Sequence, residues 1–411
     1  MSKDESSPVR SAMTALGLSA LANIKMASKL TKIAREEYTT ALGCTNRALT
    51  DPVTSANDST LAAVILLGMF EVISFNSTGS LQRWKKHIDG ASKLLEWRGE
   101  AGLRTVHGLH MFRQLRPQIL ANNIHREMEP APSLVHLSDV ASEIASTGSQ
   151  DESRHVDAMG HLSIRLCKLC ATVKKGGLTD PTSILHDALA LDEEYASWLD
   201  GLSSPYWSRS TVMTDSAEDE LIYGPFGNHY DVYNNLFACH SLNNYRCSRL
   251  IIREVVSACV KKIQFQCQMN DTSVDSNILI AAHQSIAVAK RLAEEIYASV
   301  PYHLGTEETF AEFDMIGRPN LIQGAIGGFL LIWPLYLAAN LDLYDVDQTP
   351  SAMRAWGITC LEKIGHGMGI NQSLAMAFLL RRKLAVRSWV TNTESHTGAR
   401  VVPLPPDSFQ D

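Results

Sequence analysis

LLGMFEVISFNSTGSLQRWKKHIDGASKLLEWRG, residues 66–99, holds the end of one helix, a turn and the whole of a second helix. The first belongs to LAAVILLGMFEVIS, residues 61–74, which is apolar nearly all round and follows the capping pair Asp58-Ser59. A helix with no polar face has nowhere to sit except inside, so this one is expected at the centre of a fold. In the second helix Leu81, Trp84, Ile88, Ala91 and Leu95 recur at spacings of 3, 4, 3 and 4, while Lys85, Lys86, Asp89 and Lys93 face the other way. Arg98 suits the negative end of the helix dipole and Gly99 the position just past the last turn. Gly90-Ala91 predicts close approach of a neighbouring helix, and Trp84 a large buried anchor whose indole N–H needs an acceptor.

The same period extends in both directions. Upstream it predicts helices over Ser11–Ile24 and Leu30–Leu49. Downstream it predicts Val106–Met128 interrupted by Pro117, His155–Lys174, Pro181–Leu199, His229 to about Phe265, Val274–Ser299, Ser351–Gly367 and Asn371–Trp389. Loops are expected at 130–154 and 200–228, where Pro, Ser and acidic residues collect, and flexible ends at 1–10 and 391–411. No repeat, heptad array or sustained alternation of apolar and polar residues interrupts this pattern. The expected architecture is an all-α, multi-helix array over 11–390.

Composition narrows the function classes. The 411 residues are 45% hydrophobic and 20% charged, which is globular, and the net charge of -7 runs against a folded body that grips nucleic acid through its phosphates. The eight cysteines, behind a polar start, are read as free thiols in a reducing compartment. Leu321–Ala339 (LIQGAIGGFLLIWPLYLAA) approaches the length of a membrane span, yet carries Gln323, three glycines and Pro334 and lacks an orienting Lys/Arg cluster. It is expected to be a proline-kinked core helix, with no membrane contact.

At residues 66–99 the string resembles the signature segment of the fungal-specific transcription factor domain, the regulatory region of fungal zinc-cluster transcription factors. There a helix ending in a hydrophobic-aromatic-Glu step precedes W-x-x-H-x-x-G-A-x-x-L-L-x-x-R-G, matched by Trp84, His87, Gly90, Ala91, Leu94, Leu95, Arg98 and Gly99. NNYRCSRLIIRE (243–254) is similar to the family's W-N-x-Y-R-x-x-R-I helix, though Asn243 stands where Trp is usual. GGFLLIWPLYLAA (327–339) and WGITCLEKIGHGMGINQSLAMAFLL (356–380) resemble its closing helices. The resemblance implies a transcription regulator of the nucleus, or nucleus and cytoplasm, that works through protein partners, a small-molecule effector or a homo- or heterodimer, with control of a metabolic gene cluster as one role. Family members bind DNA through six cysteines spaced C-x2-C-x6-C twice, holding two zinc ions. These 411 residues contain no such spacing, so direct, specific DNA binding by this chain is not expected.

Individual residues carry little sign of catalysis. Cys167 and Cys170 form the one C-x-x-C, on an amphipathic helix, with no second pair at ligand spacing. His87 has no metal-binding partner at helical spacing and is read as a hydrogen-bonded packing histidine. Asp192-Glu193-Glu194 and the pair Asp215 and Asp219 lack a diphosphate-enzyme arrangement and are read as solvated surface. Arg246, Arg249 and Arg253 step along one helix beside Tyr245, as ion pairs with Glu254 and other helices or as an effector contact. Phe329, Trp333 and Tyr336 beside the glycines and Pro334 are the other candidate for an effector pocket. No catalytic residue, metal or cofactor is assigned. The rival expectation is an enzyme or small-molecule-binding protein of secondary metabolism on the same scaffold, which would need a closed apolar pocket with convergent polar groups.

Overall fold

The apolar helix at the centre of the signature string is α4 (Asp58–Ile73), and its side chains Leu61, Ala63, Val64, Leu67, Phe70, Val72 and Ile73 are all buried. Two helices precede it, α1 (Pro8–Lys25) and α2 (Ser28–Thr50), joined by a tight turn in which Met26 takes a left-handed conformation. They pack on each other and on α4 through small residues, Ala12, Ala15, Ala34 and Ala41, against Leu67 and Phe70. The four alanines leave room for the larger side chains of α4 and for Tyr38 and Leu42 of α2. After the single turn α3 (Pro52–Ser55) and α4 comes α5 (Thr78–Arg98), which buries Ile88, Ala91, Leu94 and Leu95. Gly99 ends α5 at φ +55°, its N–H bonding the carbonyl of Leu95 at 3.0 Å.

The computed structural model describes residues 7–147, 151–213, 225–305, 321–341 and 349–382. Helix α6 (Val106–Arg126) is capped by the Thr105 hydroxyl, which accepts from the Gly108 N–H at 2.9 Å, and it continues through Pro117 instead of breaking there. The connector expected at 130–154 is largely helical: α7 (Pro132–Thr147) buries Leu134, Leu137, Ser138, Ala141 and Ala145, and α8 (Asp151–Gly176) follows. Pro132 starts α7 where a missing N–H costs nothing, and the buried residues return every three or four positions.

After α9 (Pro181–Asp200) the expected loop 200–228 contains β1 (Arg209–Met213), paired antiparallel with β2 (His229–Tyr233) in the register Arg209 opposite Tyr233. The helix expected from His229 therefore begins later. Asn235 caps α10 (Leu236–Met269), accepting from the Ala238 N–H at 2.8 Å. This helix is buried on most sides from Ala238 to Ile263 and packs against α8, α9, β2, α11 (Ser276–Ala298), α12 (Val300–Leu304) and α13 (Leu321–Ala339). The chain closes with α14 (Thr349–Met368) and α15 (Asn371–Arg381). The fold is an all-α array with one two-stranded ribbon among the described residues.

Helix α13 runs through Pro334 and buries Leu331, Ile332, Leu335, Tyr336 and Leu337. No helix among the described residues is long and apolar enough to cross a membrane. The chain ends expected to be flexible lie largely outside the described residues, as do Asp215 and Asp219, although α1 already begins at Pro8.

Candidate functional site

Past its first turn α4 carries one charge, Glu71, only 1% exposed. A buried carboxylate needs donors, and three elements supply them. Tyr38 on α2 donates its hydroxyl to Glu71 Oε1 at 2.6 Å, and Arg83 on α5 donates Nε to Oε2 at 2.7 Å. His87 Nε2 lies 3.0 Å from the Tyr38 oxygen. That hydroxyl has given its only proton to Glu71, so it accepts from His87, which fixes the imidazole proton on Nε2. Burial holds the His87 pKa below the usual histidine range, partly offset by the Glu71 charge, consistent with a neutral donor. Burial first, then the bond to Glu71, push the Tyr38 phenol up. Tyr38 also stacks on Phe70 with ring centroids 4.3 Å apart.

The other signature residues surround this network. Ala91, Leu94 and Leu95 are buried, and Arg98 is buried in an ion pair with Asp58. Trp84 is half-buried against the core, short of the fully buried anchor expected of it. Gly90 is a correction: it is exposed, and a Cβ built on it would meet no atom within 4 Å. Its neighbour Gly68, whose Cβ would contact that of His87 at 3.4 Å, is the glycine at the α4–α5 contact.

A family model for the fungal specific transcription factor domain matches residues 3–123. No curated protein and no solved structure matches the chain. The matched segment takes in α1 to α5 and most of α6, with Trp84 to Gly99 of the signature and the Tyr38–Glu71–Arg83–His87 network.

Beyond the matched segment, the arginines of α10 divide between two sets of partners. Arg249 clamps Asp192 of α9 with Nε to Oδ1 at 2.8 Å and Nη2 to Oδ2 at 2.6 Å, and Arg253 joins the same carboxylate. Asp192 is 4% exposed, which overturns its reading as solvated surface. Arg249 Nη1 also donates to the Tyr245 hydroxyl at 2.7 Å, and Trp198 stacks on the Tyr245 ring. Arg246 instead faces α11 and β2, with Nε 3.1 Å from Glu295 Oε2, Nη1 2.7 Å from Asn243 Oδ1, and the Tyr233 ring beneath its guanidinium.

The second candidate group lies elsewhere again. Trp333 stacks on Tyr336 with centroids 5.7 Å apart and meets His125 edge-on, with Phe329 packed partly buried against the same core. The glycines beside them draw other elements in. A Cβ on Gly327 would overlap the His303 carbonyl of α12, and one on Gly328 would overlap the Met368 sulfur of α14. These contacts seat α12 and α14 against the glycines of α13.

Three groups escaped the sequence reading. Cys239 Sγ lies 3.3 Å from His303 Nδ1, but burial pushes the thiol up and the imidazole down to about 3, leaving both neutral. Asp157 of α8 accepts from two arginines of α6: Arg113 Nη2 at 2.6 Å and Arg116 Nη2 at 3.0 Å. Above this pair lies a small cavity bounded by α6, α8, α9 and α10, with ≈ 50 Å³ of space that water can enter. That is far below the roughly 300–1,000 Å³ of a metabolite pocket.

Proposed function

We propose that the chain is a transcription regulator acting in the nucleus, through a protein partner or an effector rather than by gripping DNA with its own folded body. The observation that carries this reading is the match of residues 3–123 to the fungal specific transcription factor domain. The net charge of -7 supports the second half of it, because phosphate binding requires a cationic surplus. The chemistry of the interior supports a sensing or scaffolding role: burial pushes the thiols of Cys167, Cys239, Cys259 and Cys360 up and the imidazoles of His240 and His303 down, toward their neutral forms, and Arg113, Arg249 and Arg253 are tied to carboxylates. Control of a metabolic gene cluster is the expected physiological setting.

Two measurements test the reading. A fluorescently tagged chain expressed in a fungal cell should concentrate in the nucleus; uniform exclusion from it contradicts the proposal. In gel-shift titrations the purified chain should show only weak, sequence-independent retardation that disappears with added salt. Tight, sequence-specific binding would overturn the part of the proposal that assigns DNA contact to other molecules.

A further inference from the structure

The cavity over Asp157 has the makings of a binding site that the regulatory reading does not itself require. Its lining contains two arginines, Arg113 and Arg116, and no acidic residue. Asp157 beneath them supplies one negative charge for two guanidinium groups, so the cluster keeps a net positive charge. Arg116 is 1% exposed. Its Nη2 is used by Asp157 and the Val156 carbonyl, while Nε and Nη1 are buried with no hydrogen-bond partner. Leaving such donors unpaired is costly, more so on a charged group.

A neutral donor stands in the same lining. Asn244 Nδ2 lies 3.1 Å from His240 Nε2; with the amide donating, the imidazole proton sits on Nδ1, which is buried and has no partner. Burial lowers the His240 pKa to about 4, so the ring offers a hydrogen bond without adding a second free charge. Gly160 of α8 fixes the arginine from one side: a Cβ there would lie 2.6 Å from Arg116 Nε and 2.7 Å from Nη2, so the bare backbone rests against the guanidinium. Phe112 lies on it as well, its ring centroid 5.3 Å from Arg116 Cζ. The opening passes half-buried Pro117 and exposed Gln114 at the surface of α6.

We propose that this cavity binds one small oxyanion group, a carboxylate or phosphate, through Arg116 and His240. Space for ≈ 50 Å³ admits such a group or a few waters, but not a whole metabolite, so a larger ligand inserts its acidic end and leaves the rest at the mouth. The site deepens the effector half of the proposed function by naming the chemistry an effector presents.

The test uses the full chain, with sodium acetate and inorganic phosphate as probes and sodium chloride at matched ionic strength as reference. Side-chain proton–nitrogen NMR follows the Arg116 Nε–H, and thermal melting follows stability. Acetate or phosphate should shift the Arg116 signal saturably and raise the melting midpoint, while chloride does neither. Stronger acetate binding identifies a carboxylate ligand, and stronger phosphate binding a phosphorylated one; either supports the site. Arg116→Met should weaken binding at least about tenfold, the loss of a charge-assisted hydrogen bond. Should that variant fail to fold, Asn244→Leu at the half-buried rim should also weaken binding, by freeing the His240 proton from Nδ1. A wild-type titration with no saturable shift means that water fills the cavity and overturns the proposal, as does unchanged binding in Asn244→Leu. Either failure leaves the nuclear localisation and gel-shift tests untouched, and failure of those leaves the anion titration standing.

Discussion

Replacing Asp192 by Ala removes the carboxylate that Arg249 and Arg253 share, two side chains that are each 6% exposed. Breaking a buried pair by deleting one partner typically costs about 3–5 kcal/mol, because the remaining charge cannot return to water. Here two guanidinium groups are stranded, although Arg249 retains its bond to the Tyr245 hydroxyl. We therefore expect a loss of about 4 kcal/mol, which in a chain of this size lowers the melting midpoint by roughly 5 °C. Urea denaturation followed by far-ultraviolet circular dichroism measures it directly. Asp192→Asn, which keeps one acceptor but no charge, should fall between wild type and Asp192→Ala. Replacing Asp192, Arg249 and Arg253 together by Leu, Met and Leu should recover much of the loss, since no charge is then left unpaired. A surface aspartate would cost within about 0.5 kcal/mol. A loss under about 1 kcal/mol in Asp192→Ala would refute the buried three-residue cluster.

Other perturbations probe the remaining interior. The His303 and His240 pKa values are pushed by burial to about 3 and about 4, below the unfolded value near 6.5. The unfolded chain therefore takes up protons first as pH falls, so the stability held by the neutral rings is full above about pH 6.5 and declines toward pH 4 and below. Between pH 7 and 5 urea titrations should show about 2 kcal/mol lost for His303, with a flatter profile in His303→Gln. Gly327→Ala places a methyl group into the His303 carbonyl and forces α12 and α13 apart, at a cost of about 2–3 kcal/mol in the same assay; a neutral result would contradict that close approach. Cys267 is half-buried while the other cysteines are buried, so alkylation of the native chain followed by peptide mass spectrometry should label Cys267 first.

The helices were legible wherever apolar residues kept an unbroken three-four spacing, as in α4 and α5, and where a glycine or arginine marked the end, as at Gly99. The helix α7 was obscured because its polar positions, Ser133, Ser138, Asp139 and Ser142, are turn formers, although Leu134, Leu137 and Ala141 already carried the period. The hairpin at 209–213 and 229–233 was invisible because long-range pairing, not local alternation, makes those strands. In the site, Glu71 was readable as the one charge in the apolar run of residues 61–74. Asp192 was not, because its neighbours Glu193 and Glu194 made it look like a solvated run; only the packing of α9 on α10 turns it inward. Arg246 and Arg249 share a helix face by spacing, and only the packing of α9 and α11 on α10 gives them different carboxylates, Glu295 and Asp192.

The central claim is that this helical chain regulates transcription when something else brings it to a promoter. Fusing it to a heterologous DNA-binding module and measuring a reporter gene in a fungal host tests that claim most directly. A clear change in reporter output, activation or repression, is expected relative to the module alone. Expression of the folded fusion in the nucleus with output indistinguishable from the module alone would contradict it.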